Sequence, residues 1–333
     1  MAQVAGVVLA GGGGRRLGAD KALVRLAGAT LAERAVAALR IAGAAPVLVV
    51  GGEPARLHRL GLDAIADPPP GGEGPLAGLV AGLSASPSWF DAVLTLPVDT
   101  AEPDPDVLRE LVARLVADGA DAAIARSGGR LHWTTAAWAP AASVALGTAF
   151  AAGTRSLHGG VATLDRVVAV DVEPAVVADI DTPDDLAAAV DRSDRAAPVD
   201  HTGAPTPVAS GPRRGAARTR VAERCDVEVP DIDIDELDRA RGAGPVVLVD
   251  VRQPDEFTTA RVPGAVLIPL GELADRVGEI PADGVVHVIC HSGARSHAAA
   301  AFLRQAGLDA VNVAGGTAAW LESGREHHSG PTP

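Results

Sequence analysis

The 333-residue sequence contains no tyrosine, only 2% aromatic residues and two cysteines, Cys225 and Cys290. Two cysteines cannot supply the disulfide framework of a small secreted domain. No segment approaches the roughly 20 consecutive apolar residues that a membrane-spanning helix requires, and the first residues lack the basic segment and cleavage site of a signal peptide. We therefore expect a cytoplasmic protein whose cores are built from Ala, Val, Leu and Ile.

Positive charge is also scarce, because 29 Lys and Arg stand against 42 Asp and Glu, for a net charge of −13. Surfaces that bind nucleic acid or anionic membranes need clustered Lys and Arg, so neither partner is expected. A phosphate ligand would instead require a local site made of backbone N–H groups and a metal ion.

The distribution of apolar residues predicts two domains. Short apolar strands alternate with amphipathic helices over residues 1–190, which indicates a parallel sheet with helices on both faces. One of these helices is expected to start with Thr182 as its N-cap and Pro183 in its first turn. Residues 191–225 are rich in Pro, Gly, Ala and Arg without apolar periodicity, which predicts a flexible linker. The alternation resumes over residues 226–330 and predicts a second, smaller α/β domain.

The first candidate site follows the predicted strand at residues 4–10. Residues 11–14 are four glycines, which lack Cβ atoms and let the backbone approach a nucleotide closely. Arg15, Arg16 and Lys21 add positive charge. Open parallel sheets bind their ligands at the carboxyl ends of strands. The spacing fits neither a Walker A loop nor a convincing G-x-G-x-x-G motif.

This loop resembles the LAGG-x-x-x-R-x-G-x-D-K signature of the nucleotidyltransferases that include molybdenum cofactor guanylyltransferase. Three further segments extend the resemblance along residues 1–190. They are Asp67 followed by GPLAG at 74–78, LPVDT at 96–100, and DTPDDL at 181–186, which has Asp where Asn is commoner.

The resemblance implies a Rossmann-like nucleotidyltransferase domain and Mg²⁺-dependent transfer of GMP from GTP to a molybdopterin-type acceptor. A substrate phosphate would attack the α-phosphorus and release pyrophosphate, so that catalysis consists mainly of positioning and charge neutralisation. Lys21 would neutralise the triphosphate, and Asp99 would ligate Mg²⁺. The implied nucleotide-binding residues are Leu9, Ala10, Gly11, Gly12, Arg16, Lys21, Asp67 and Asp99.

Departures from the family pattern leave alternatives open. Gly51 and Gly52 stand where relatives commonly have Asn, so CTP could replace GTP and a sugar or alcohol phosphate could be the acceptor. A different alternative is a nucleotide-sensing module that controls the second domain, although an intact Lys21 and Asp99 argue for catalysis.

The acceptor is expected near residues 130–136, which fall where the family contacts it. Arg155 is expected to reach its phosphate. Trp133 and Trp138 in the same region fit core positions equally well.

The second candidate site is centred on Cys290, at the end of the apolar strand 285–290 and before a helix that opens at Ser296. A thiol at a helix N-terminus among backbone N–H groups is expected to have a lowered pKa, which favours the thiolate. Arg295 adds a cation that can bind an anionic sulfur donor. The alternative is a buried cysteine beside a solvent-facing arginine.

A wider pattern resembles a rhodanese domain over residues 232–326. Its motifs are DVRQPDEF at 250–257, VPGA at 262–265, CHSGARS at 290–296, NVAGG at 312–316 and Trp320. The resemblance implies that Cys290 carries sulfane sulfur as a persulfide from a donor to an acceptor thiol or cyanide. The implied persulfide loop consists of Cys290, His291, Ser292, Gly293, Ala294 and Arg295.

Two other features of the second half are interpreted as structural. Asp250 and Arg252 are expected to form an ion pair without a catalytic role. Cys225 is interpreted as a partly buried cysteine, with a resolving thiol as the alternative. A linker of this length lets the two domains meet without requiring it.

Overall fold

Two large β-sheets, one in each half of the chain, and a small two-stranded sheet of Arg25–Leu26 and Ala29–Thr30 in the first half organise this computed structural model, which describes residues 2–11, 20–66, 74–87, 89–195 and 228–331. The strands of the first half are β1 (Val4–Leu9), β2 (Arg25–Leu26), β3 (Ala29–Thr30), β4 (Ala44–Val50), β5 (Ala64–Ile65), β6 (Ala92–Pro97), β7 (Ala122–Ser127), β8 (Arg130–Trp138) and β9 (Val167–Asp171). Its helices are α1 (Leu31–Ile41), α2 (Pro54–Arg59), α3 (Pro75–Ser84), α4 (Pro105–Asp118), α5 (Pro140–Ala151), α6 (Leu157–Val161) and α7 (Pro183–Arg195). The predicted α/β class is confirmed.

The first sheet has seven strands in the order β5–β4–β1–β6–β8–β7–β9. Its strands pair in parallel except β8, which runs antiparallel to both β6 and β7. Gly128 and Gly129 both have positive φ between β7 and β8, as a tight two-residue hairpin requires. Residues 130–136, predicted to contact the acceptor, therefore belong to a strand inside the sheet.

Helices cover both faces of this sheet, as predicted. Along β1 the buried side chains alternate between the faces. Val4 and Val8 belong to the same core as α1 and α4, whereas Ala5 and Val7 belong to the core of α3 and α5. Burial on both faces explains why the strand is a continuous apolar run without alternating polar residues.

Helix α7 begins as the sequence predicts. Asp185 N–H donates to Thr182 Oγ1 (3.2 Å), and Thr182 N–H donates to the Asp185 carboxylate (2.8 Å), so the two residues form a reciprocal cap. Pro183 occupies the first position, where no N–H is needed. The helix continues past residue 190 to Arg195, and most of the predicted linker, including Cys225, lies outside the described residues.

The second half contains a smaller, all-parallel sheet. Its strands are β10 (Asp231–Ile232), β11 (Val247–Asp250), β12 (Val266–Leu267), β13 (Val286–Ile289) and β14 (Ala310–Val313), in the order β10–β14–β13–β11–β12. Its helices are α8 (Ile234–Ala243), α9 (Pro254–Thr259), α10 (Leu273–Arg276), α11 (Ala294–Gln305) and α12 (Gly316–Glu322). One core includes α10 and α11, and the other includes α8 and Trp320 of α12.

A buried ion pair joins Asp250, at the end of β11, to Arg252. Arg252 Nη2 lies 2.6 Å from Asp250 Oδ2 and also donates to the Ala260 carbonyl (2.8 Å). Asp250 is fully buried. The predicted ion pair is confirmed.

Asp250→Ala is expected to lower the free energy of unfolding of the second domain by about 3–5 kcal/mol, because Arg252 would remain buried without its carboxylate. Hydrogen exchange of the β11 and β13 amides would measure the loss in this domain. The control is Glu279→Ala, which removes an exposed partner of Arg276 and should cost less than about 1 kcal/mol. Equal losses in the two variants would contradict a special contribution of the buried pair.

The two halves pack directly against each other. Helix α11 of the second half lies against β4 of the first, and the Trp89 and Phe302 rings stack with centroids 4.1 Å apart.

Among the residues that the structure describes, none belongs to a helix long and apolar enough to cross a membrane.

Candidate functional sites

The first site is a cavity of about 540 Å³ at the carboxyl ends of β1 and β6. These strands are parallel neighbours, with Leu9 paired to Pro97, so the Gly-rich loop and the LPVD motif emerge at the same sheet edge. The residues lining the cavity are Leu9, Ala10, Gly11, Lys21, Val50, Gly74, Pro75, Gly78, Pro97, Val98, Asp99, Thr134 and Asp179. The cavity therefore brings together residues from the Gly-rich loop, the GPLAG segment, the LPVDT motif and the predicted acceptor segment 130–136.

Lys21 projects into this cavity from a short 3-10 turn that starts after Asp20, whose carboxylate accepts the Ala22 N–H (3.0 Å). The Lys21 ammonium contacts Asp99 Oδ2 at 2.6 Å and Asp181 Oδ1 at 2.5 Å. Burial opposes its charge, but these two carboxylates prevail and raise the pKa of Lys21. The lysine therefore places a positive charge in the cavity.

Asp179 is a cavity residue that the sequence analysis missed. The segment that carries it pairs with the end of the LPVD motif, because Ile180 N–H donates to the Asp99 carbonyl (2.9 Å). Burial, followed by the nearby charges of Asp99 and Asp181, raises the pKa of Asp179 to about 6. The sequence Asp179-Ile180-Asp181 could have indicated this residue, because side chains two positions apart in an extended chain project to the same side.

The oxygen donors at this site fit a magnesium ion. Mg²⁺ is usually held by one or two carboxylates together with substrate phosphates, and the carboxylates of Asp99 and Asp179 both face the cavity. Within the described ranges, no group of three or more His, Cys, Asp or Glu side chains forms a complete metal site.

Gly51 has a structural reason to be glycine. Its φ is +93°, and a Cβ atom placed there would lie 2.7 Å from the backbone nitrogen of Gly11. The turn after β4 therefore packs directly on the first glycine of the nucleotide loop. An Asn at this position would need that loop to move.

The remaining residues predicted to bind nucleotide or acceptor are Gly12, Arg16, Asp67 and Arg155. Gly12, Arg16 and Asp67 lie outside the described residues. The Arg155 guanidinium donates to the carbonyls of Phe150 (2.8 Å) and Thr154 (3.1 Å), and the Arg155 carbonyl accepts from the N–H of Leu76 (3.3 Å).

The two tryptophans of β8 differ in role. Trp138 is fully buried and donates from Nε1 to Thr95 Oγ1 (2.9 Å), so it is a core residue. Trp133 is half-buried and meets His158 edge to face. Thr134, between them in sequence, lines the cavity.

The second site is the loop between β13 and α11. The Cys290 thiol lies at the end of β13, where Gly293 N–H approaches its Sγ at 3.1 Å and the Ser296 hydroxyl at 3.3 Å. Both groups would stabilise a negative sulfur at the N-terminus of the helix.

The N-terminus of helix α12 binds the backbone of this loop through two hydrogen bonds. The N–H groups of Thr317 and Ala318 donate to the carbonyls of Cys290 (2.8 Å) and His291 (3.0 Å). Gly316 has φ +58°, and a Cβ atom there would lie 2.4 Å from the His291 carbonyl oxygen. The glycines of the NVAGG motif thus let α12 press against the persulfide loop.

The electrostatic environment of Cys290 differs from the prediction. The thiol is fully buried, and burial together with the nearby Asp63 raises its pKa, although Arg295 acts in the opposite direction. The prediction of a lowered pKa is therefore wrong for this arrangement. The alternative of a solvent-facing arginine is also wrong, because the Arg295 side chain is 1% exposed and pairs with Glu256 and Asp63.

Comparison with known proteins identifies both halves. The family described as MobA-like NTP transferase domain matches residues 6–225, and the Rhodanese-like domain family matches residues 233–323. A molybdenum cofactor guanylyltransferase of Acidiphilium cryptum is 45% identical over 142 residues, which is 42% of this chain and 69% of that protein. The enzyme of the same name from Rhodobacter capsulatus is 40% identical over 201 residues, 59% of this chain and all of that protein. A sulfurtransferase of Allochromatium vinosum is 40% identical over 98 residues, 29% of this chain and 92% of that protein.

Proposed function

Because this chain belongs to the MobA-like NTP transferase family and also carries a rhodanese-like domain, we propose that it is an enzyme with two activities. Residues 1–190 transfer GMP from GTP to the phosphate of molybdopterin with Mg²⁺, and residues 226–330 carry sulfur as a persulfide on Cys290. Residues 191–225 link the two domains. The observation that supports the first activity best is the single cavity shared by Leu9, Lys21 and Asp99.

In the first reaction an oxygen of the acceptor phosphate forms a bond to the α-phosphorus of GTP. The bond from that phosphorus to the bridging oxygen breaks, and pyrophosphate leaves with the electron pair. Lys21 offsets the charge of the triphosphate, and Gly11 lets the backbone approach the nucleotide. Mg²⁺, held by Asp99 and Asp179, would supply further neutralisation of phosphate oxygens.

In the second reaction the Cys290 thiolate attacks the sulfane sulfur of a donor such as thiosulfate. A bond forms between Sγ and that sulfur, while the sulfur–sulfur bond of thiosulfate breaks and releases sulfite. A thiolate or cyanide acceptor then takes the outer sulfur, as thiocyanate in the case of cyanide, and regenerates the Cys290 thiolate. Gly293 N–H and the Ser296 hydroxyl are placed to stabilise the negative sulfur.

The base that the first site accepts can be tested with the four nucleoside triphosphates. With molybdopterin and Mg²⁺, we expect pyrophosphate release from GTP to exceed release from CTP by at least about 10²-fold, as expected for a site that hydrogen-bonds one base. Removal of Mg²⁺ with a chelator, and omission of molybdopterin, should each abolish release.

Equal release from GTP and CTP would contradict the guanylyl assignment. Nucleotide binding without pyrophosphate release, with molybdopterin and with sugar or alcohol phosphates, would instead identify the domain as a nucleotide sensor.

A further inference from the structure

The persulfide loop is covered by a surface of the first half that we call the docking edge, made of His58, Asp63 and Trp89. Each of its residues contacts the second half. Asp63 pairs with Arg295, the His58 and His291 rings stack with centroids 3.5 Å apart, and Trp89 stacks on Phe302. The fit is close enough that a Cβ atom at Gly271 would lie 2.2 Å from the Ser84 carbonyl oxygen.

At the docking edge, Asp63 occupies the position where Arg295 would bind an anion. Arg295 Nε and Nη2 donate to the two Asp63 oxygens at 3.2 and 3.1 Å, and Nη1 and Nη2 donate to Glu256 at 2.8 Å. These bonds use four of the five N–H groups of the guanidinium. An anionic sulfur donor therefore cannot pair with Arg295 while Asp63 is docked.

The negative charge around Arg295 and the burial of Cys290 also disfavour binding of an anionic sulfur donor. Burial would raise the pKa of Glu256, but Arg295 outweighs it and brings that pKa to about 2, so Arg295 faces two carboxylates whose charge repels an anion. A cavity of about 270 Å³ between the halves reaches His58, Glu256 and His291, yet neither Cys290 nor Arg295 lines it. The Cys290 thiol itself is fully buried, which leaves no room for an added sulfur atom.

Of the two carboxylates that pair with Arg295, Asp63 is the one that an anionic sulfur donor can replace. Glu256 belongs to the same domain as Arg295 and makes the shorter hydrogen bonds, so it stays with Arg295 when the domains separate. Separation takes Asp63 away from Arg295 and uncovers the His291 ring beside Cys290, and the charge of Arg295 then becomes available to a donor.

We propose that the docking edge is an internal cap on the persulfide site, and that Cys290 accepts sulfur only when the first domain moves away. This inference rests on the sulfur transfer proposed above. The observed rate would then be the rate of the open form multiplied by its population, so weakening the cap should raise the rate of every reaction of Cys290.

The test uses the full-length chain with Cys225→Ser, which leaves Cys290 as the single thiol. Asp63→Lys places a second cation against Arg295, and Trp89→Ala removes a separate contact of the docking edge. The matched control is Asp171→Asn, because Asp171 lies on β9 at the opposite edge of the sheet and forms an exposed ion pair with Arg126. Iodoacetamide alkylation of Cys290 measures access, thiosulfate-to-cyanide transfer measures activity, and GTP-dependent pyrophosphate release confirms folding of the first domain.

If the open form is populated at a few per cent or less, Asp63→Lys should raise both rates by about tenfold or more. Trp89→Ala should act in the same direction, and Asp171→Asn should change neither rate. Alkylation at the parent rate in both cap variants would overturn the proposal. Faster alkylation with slower sulfur transfer would also overturn it, because the docking edge would then be part of the working site. Faster alkylation with no sulfur transfer in any variant would support the cap and contradict the proposed persulfide activity.

Discussion

Replacing Cys290 with serine is expected to remove sulfur transfer from thiosulfate to cyanide, with a loss of at least about 10³-fold. The reaction depends on a covalent bond between the attacking atom and the transferred sulfur, and a hydroxyl group cannot replace the thiolate. No other described side chain can substitute, since Cys290 is the one free cysteine among the described residues. The rate of thiocyanate formation measures the loss.

Two controls make this result specific. Cys225→Ser should retain sulfur transfer, which separates the role of Cys290 from a general effect of thiol removal. Pyrophosphate release from GTP should be unchanged in Cys290→Ser, because its site lies at the carboxyl ends of β1 and β6 in the other domain. Persistent thiocyanate formation in Cys290→Ser would mean that the persulfide forms elsewhere or that no persulfide is involved.

The features that the sequence predicted well are those that short-range patterns determine. A continuous apolar run marks a buried strand, and the geometry of parallel sheets then places the residues after Leu9 and Leu96 at the same edge. Thr182 could be recognised as a cap because its partner, Asp185, is three residues away. The pairing of Asp250 with Arg252 is equally local.

The features that the sequence did not predict depend on contacts between distant segments. Asp63 and Arg295 are 232 residues apart, and no periodicity indicates that one domain surface fits another. The pKa of Cys290 changes direction partly for this reason: the helix N-terminus was visible in the sequence, but the complete burial of the thiol and the nearby Asp63 of the first domain were not. The antiparallel direction of β8 was missed because β7 was not recognised as a strand. Without β7, the two glycines Gly128 and Gly129 could not be interpreted as the turn of a hairpin between β7 and β8.

Asp179 shows a related limit within one domain. Its carboxylate reaches the cavity only because the chain from β9 returns to pair with residues 99–100. A motif search centred on LPVDT and DTPDDL finds the residues on either side and passes over it. Asp99, one of the two charges that raise its pKa, is brought close by this long-range pairing, whereas the other, Asp181, is two residues away in the same segment.

The second large effect is expected from Asp99→Ala, which should lower pyrophosphate release from GTP with molybdopterin by about 10³-fold or more. Asp99 provides one of the carboxylates for Mg²⁺ and also contacts the Lys21 ammonium at 2.6 Å. Its removal weakens neutralisation of the charge that develops on the phosphates, a contribution that in comparable sites amounts to about 10²–10³-fold for a single group. The proposed loss is larger because the metal and the lysine are both affected.

The kinetic form of the loss distinguishes a catalytic from a structural role. Lys21 would still be held by Asp181 (2.5 Å), so GTP binding should persist while kcat falls. Sulfur transfer by the other domain should remain at the parent rate, which reports on folding of the full chain. Asp104→Ala, at the N-cap of α4, is the matched control and should retain release. Normal kcat in Asp99→Ala would exclude this carboxylate from catalysis, whereas loss of GTP binding together with kcat would indicate a collapsed site.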